Sequence, residues 1–131
     1  MNRTLTLLAS VAGFLGVAFG AFGAHGVKGL LENAPDAVAR LGWWETGAKY
    51  HLLHALAIGL AAVLAAQVDG AAPRVAGWLF AAGILVFSGS LYAMTLTNLR
   101  VLGAVTPIGG LLFLAGWVLL GVGALSLRTT A

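Results

Sequence analysis

Charged residues divide this chain into long apolar intervals. Twenty-four uncharged residues lie between Arg3 and Lys28, 19 between Lys49 and Asp69, 25 between Arg74 and Arg100, and 27 between Arg100 and Arg128. About 20 mainly apolar residues suffice for one helix to cross a bilayer, so each interval holds one crossing. Backbone amides in lipid must be bonded within their own segment, and stretches rich in Ala, Leu and Gly achieve that as helices. The pattern predicts an all-α membrane protein, an antiparallel four-transmembrane-helix bundle forming one domain over residues 1–131, with spans near 4–24, 46–67, 73–96 and 107–127. Thr106 reads as the cap of the fourth helix and Pro107 as its first residue, where a missing N–H costs nothing. Pro73 starts the third helix in the same way, after an Asp69-Gly70 turn. The first span reads as a membrane helix rather than a signal peptide, because its apolar run exceeds the roughly 7–15 residues of a signal h-region. In the first loop, Pro35 and Asp36 followed by the Val38/Leu41/Trp44 spacing predict a short interfacial helix, lying as a lid across one end of the bundle, with Trp43 and Trp44 in an aromatic belt. Glu45 and Lys49, four residues apart, are expected to pair.

Composition agrees with this pattern. Of 131 residues, 60% are hydrophobic and 8% charged, against about 25% charged in soluble domains; mean hydropathy is +0.99. The net charge of +3 comes from seven scattered basic residues, whereas a nucleic-acid partner needs a clustered patch. The chain has no cysteine, which excludes disulfides and thiolate ligands. Small residues recur at helical spacing, at Gly13, Gly16, Gly20 and Gly23 and at Ala55, Gly59, Ala62 and Ala66. Such stripes let membrane helices approach closely, and they suit contacts within the bundle or between copies in a homo-oligomer. Orientation is nearly balanced, with Arg3, Arg74 and Arg128 on one side and Lys28, Arg40, Lys49 and Arg100 on the other, so the positive-inside rule does not decide it.

Antiparallel spans bring the end of helix 1, the start of helix 2, the end of helix 3 and the start of helix 4 to one membrane face. Nearly all the unusual polar residues fall toward that face: His25; Lys49, Tyr50, His51 and His54; Ser88, Ser90, Tyr92 and Thr95; Thr106. His54 lies about 12 Å along helix 2, below the headgroups. It reads either as a functional ionisable group or as polar glue to a neighbouring helix. Ser88 and Ser90 fit return bonds to the preceding turn better than a cavity wall, and no base stands beside either in sequence. A metal site built from His25, His51 and His54 lacks an accompanying inward carboxylate or thiolate, and bis-histidine haem ligation lacks a motif. No cofactor is expected. The start of helix 4, with unsatisfied N–H groups, a positive dipole end and open backbone at Gly109 and Gly110, suits an anion. Lys49 and Arg100 add positive charge nearby.

These segments carry a resemblance. GAFGAH at 20–25, WETGAKYHLLHALAI at 44–58, LVFSGSLY at 85–92 and VTPIGGLLFLAGW at 105–117 resemble the bacterial domain of unknown function 423 family, whose eukaryotic relatives are called transmembrane protein 256. The match runs through all four helices in order. The resemblance implies a four-span inner-membrane protein with no established biochemical role. By similarity, His25, Tyr50, His54, Ser88, Ser90, Tyr92, Thr106, Pro107, Gly109 and Gly110 match the family pattern; His51 departs from it, since relatives carry Gln there. A basic C-terminal tail in relatives points to cytoplasmic termini, although this chain has only Arg128. The expectation that follows is a non-enzymatic binding or accessory protein in contact with membrane lipid, holding a small amphiphilic or anionic ligand near His25, His54 and the start of helix 4. A transport component with His54 as relay ranks second and a membrane enzyme last.

Overall fold

The computed structural model describes residues 2–127; Arg128, counted above for orientation, lies outside them. Among the described residues the chain forms four spans, α1 (Arg3–Leu30), α2 (Ala37–Leu64), α3 (Ala72–Thr97) and α4 (Thr106–Ala124), the last led in by a 3-10 turn at Arg100–Ala104. Asn2 caps α1 by accepting the Leu5 N–H at 3.3 Å. Asn98 closes α3 in the left-handed conformation, φ 57°, with its N–H on the Met94 carbonyl at 2.9 Å, a conformation Asn tolerates because its short side chain bonds locally.

Two differences from the predicted spans matter for the site. The stretch expected to be a separate interfacial helix is instead the start of α2, which runs unbroken from Ala37 to Leu64. Its Val38/Leu41/Trp44 pattern continues the helical period of the span, and Trp44 is buried against α1, donating its indole N–H to the Phe19 carbonyl at 2.7 Å. Nor does Thr106 cap α4. Val105 is already helical and the 3-10 turn feeds directly into the span, with Val105 N–H on Leu102 O and Ile108 N–H on Val105 O. Two wide π turns interrupt the spans, Gly23–Val27 in α1 and Ile84–Ser88 in α3.

Helices α2 and α3 pack on each other at the centre. Helix α1 lies mainly on α2, and α4 mainly on α3, on opposite flanks. The core they share is built from Leu5, Ala55, Ile58, Ala61, Phe80 and Phe113. The small-residue stripe of α1 divides: Gly16 meets Leu52 and Gly23 meets the Trp44 ring, while Gly13 and Gly20 face open space. Because α2 touches α4 only sparsely, and α1 touches α3 only sparsely, a groove opens at each of those two seams.

Candidate functional site

The larger groove, of about 840 Å³, lies between α2 and α4. Tyr50, Leu53, His54 and Ala57 recur at helical spacing along its α2 wall, and Gly110, Phe113, Leu114 and Trp117 along its α4 wall. Phe87 reaches in from the π turn of α3. The walls stay open to the bilayer: Leu56 is 74% exposed and Leu111 65%.

His54, 4% exposed, sits on the groove floor with both ring nitrogens engaged. Its Nδ1 lies 2.7 Å from the Tyr50 carbonyl, and its Nε2 lies 3.2 Å from the Trp117 indole nitrogen. A carbonyl only accepts and an indole N–H only donates, so the ring carries its proton on Nδ1 and accepts on Nε2. The imidazole stacks on Phe113, with centroids 3.5 Å apart and planes 7° apart, and Phe80 closes the far side at 5.6 Å. A proton relay needs a ring nitrogen free to exchange; here each has a fixed partner.

The other residues expected at the site distribute among different environments. Tyr50 lines the groove, 38% exposed, and its hydroxyl has no hydrogen-bond partner among the described residues. Lys49 is exposed on the outer face of α2. It does not pair with Glu45: among the described residues the ion pairs are Arg40–Asp36 at 3.7 Å and Arg100–Asp36 at 3.4 Å. Ser88 is fully buried and donates to the Gly47 carbonyl at 2.7 Å, joining α3 to α2. Ser90 bonds the Thr106 hydroxyl at 2.7 Å and donates to the Phe87 carbonyl at 2.9 Å, joining α3 to α4. Gly109 allows α4 to touch the backbone of α3, since a Cβ there would meet the Phe87 nitrogen and Cα. The expected anion cradle at the start of α4 is therefore a helix–helix seam. Gly110, one residue on, opens to the groove.

Tyr92 belongs to the opposite groove, between α1 and α3, where its hydroxyl lies 3.1 Å from His51 Nδ1. His25 is exposed in the first π turn, beside Lys28 and Glu32 in a third hollow. The three histidines thus face three separate surroundings. A ligand touching both His25 and His54, as expected from their shared membrane face, has no common cavity to occupy.

The sequence reading overlooked Phe87, Phe113 and Trp117. The visible signal was Phe113 and Trp117 one turn apart, a spacing that puts two aromatics on one helix face. It also counted Arg40 only as a charge. Arg40 donates to the carbonyls of Thr95 at 2.8 Å and Leu96 at 3.3 Å, closing the end of α3, and the Thr95 hydroxyl returns a bond to the Arg40 carbonyl at 3.0 Å.

The sequence pattern described as protein of unknown function (DUF423) matches residues 19–110. The UPF0382 membrane protein YwdK of Bacillus subtilis is 40% identical over 93% of this chain and 96% of its own length. The UPF0382 inner membrane protein YgdD of Escherichia coli is 41% identical over 97% and 93%, and a UPF0382 membrane protein of Haemophilus influenzae is 42% identical over 94% of each. No solved structure matches the chain. With four apolar spans and relatives of this likeness over nearly its whole length, the chain is a multi-pass inner-membrane protein that belongs to the DUF423 family.

Proposed function

We propose that this protein is a non-enzymatic binding protein that holds one membrane amphiphile, its apolar chain lying in the α2–α4 groove. The observation that carries the reading is the groove itself, a lateral trough of about 840 Å³, within the range of roughly 300–1,000 Å³ usual for small-molecule sites. From Tyr50 to Leu60 its α2 wall runs about 15 Å along the helix axis. That is about half of a hydrocarbon core about 30 Å thick, the depth one leaflet's chains occupy. A second helix is a poorer occupant. Helices approach closely in lipid over small residues, whereas Leu53, Leu56, Leu60, Leu111 and Leu114 line these walls. The aromatic floor of His54, Phe113 and Trp117 offers a flexible chain a firm, well-bonded surface.

Gly110 supplies the test. A Cβ there meets nothing nearer than Phe87 at 3.9 Å, so Gly110→Leu fills the trough while leaving the helix seams intact. Native mass spectrometry of protein purified in mild detergent should find one amphiphile on the parent chain. On Gly110→Leu the occupancy should fall about tenfold, the equivalent of about 1.4 kcal/mol of binding. Equal occupancy on both chains removes the groove as the site. A dimer that Gly110→Leu dissociates would assign the groove to a second chain instead.

A further inference from the structure

We infer that the amphiphile is anionic, with its phosphate or carboxylate head held between Lys49 and Arg100 at the interfacial rim of the α2–α4 groove. This rests on the groove reading above and adds the class of ligand.

Lys49 stands four residues before Leu53 and seven before Leu56, so it rises from the same edge of the groove one to two turns nearer the headgroups. It is exposed, and no carboxylate pairs with it among the described residues. On the other edge, Trp43 stands seven residues before Tyr50, and the Arg100 guanidinium lies over its ring, 5.7 Å from the centroid. The two cations therefore flank the line that runs through Thr46 and Tyr50 down to Leu53 and Ala57. Along that line are the exposed Thr46 and the Tyr50 hydroxyl, which has no partner among the described residues and offers a donor to a head-group oxygen.

Three acidic groups share this end of the molecule, of which Glu32 lies apart from the groove, beside His25 and Lys28 in the third hollow. Glu45 is exposed one turn above Lys49. Asp36 lies between Arg40 and Arg100, at 3.7 and 3.4 Å. One carboxylate against two guanidinium groups leaves one positive charge uncompensated, and Arg40 is committed to the end of α3. Arg100, its side chain 67% exposed, keeps most of its five donors for another partner. The start of α4 does not compete for the anion, because the 3-10 turn and the Phe87 contact close it. Position completes the match: at the rim a head group meets cations, and below it a chain meets leucines.

Lipid competition in native mass spectrometry tests this, using phosphatidylglycerol and phosphatidylcholine of identical chains added to delipidated protein. The parent chain should retain phosphatidylglycerol preferentially. Each basic residue near a membrane surface contributes about fivefold toward an anionic lipid, so Lys49→Gln and Arg100→Gln should each reduce the preference by about that factor, leaving phosphatidylcholine occupancy unchanged. Lys49→Arg, which keeps the charge, should keep the preference. Excess inorganic phosphate should not displace the lipid, because a free anion gains nothing from the trough. If Gly110→Leu abolishes all binding but neither Gln variant alters the preference, the groove stands and the anionic assignment falls. If Gly110→Leu binds both lipids as the parent does, the groove reading itself falls. Displacement by phosphate, or equal retention of both lipids by the parent chain, overturns the assignment directly.

Discussion

Truncating His54 to Ala removes a hydrogen bond to the Tyr50 carbonyl, orphans the Trp117 indole N–H, and takes away the ring stacked on Phe113. An unpaired donor in an apolar setting costs about 1–3 kcal/mol, although interhelical bonds in membranes average nearer about 0.6 kcal/mol. His54→Ala should therefore lower stability by about 1–2 kcal/mol in a detergent unfolding titration. An unchanged midpoint would mean that water or lipid replaces the ring's partners. The place of His54 within a span was legible in the sequence, because a histidine about 12 Å into a span is conspicuous. Its partners were not. Trp117 lies 63 residues away, and nothing local to His54 indicates which α4 side chain will meet it. The same holds for Ser88 and Gly47, joined across 41 residues.

At the scale of the helix, Gly109 and Gly110 divide two tasks that look identical in sequence. One faces the α3 backbone and the other the open groove. Gly109→Ala should cost about 1–3 kcal/mol, the usual penalty for overpacking, in the same unfolding titration. Gly110→Ala, with its new methyl in open space, should be nearly silent. Similar losses at both positions would mean that the α3–α4 seam is looser than described. The sequence placed α3 well, with its start near Pro73 and its end near Asn98, because local turn chemistry marks both boundaries. It misplaced the start of α2 by nine residues, beginning at 46 where the helix begins at Ala37. There Arg40, Glu45 and Lys49 interrupt the apolar run without a break in backbone period, and a hydropathy reading registers those charges as an end. The π turns at Gly23–Val27 and Ile84–Ser88 left no readable signal; the first begins at Gly23 against the Trp44 ring and the second holds Phe87 against Gly109, contacts made across helices.

For the whole molecule, charge spacing revealed four crossings but not their sideways order, because an apolar interval does not record which neighbour it will touch. That α2 and α3 form the centre, with α1 and α4 on the flanks, emerges only from packing. Orientation can be settled with the chain's own lack of cysteine. Gly29 and Gly70 are exposed, at opposite ends of the bundle, and a Cβ at either meets nothing within 4 Å. With the termini cytoplasmic, as the family resemblance implies, Gly29→Cys should react with a membrane-impermeant maleimide in cells with a permeabilised outer envelope, and Gly70→Cys should not. The reverse pattern would turn the groove's cationic rim toward the cytoplasm. The flanking helices carry one more consequence. The uncharged stretches that hold α1 and α4, 24 and 27 residues, reach about 36 and about 40 Å along a helix axis. Both exceed a hydrocarbon core about 30 Å thick, and a span longer than the core is accommodated by tilting. The tilt then sets how deep in its leaflet the mouth of the α2–α4 groove lies, and so which part of a neighbouring lipid chain meets it first.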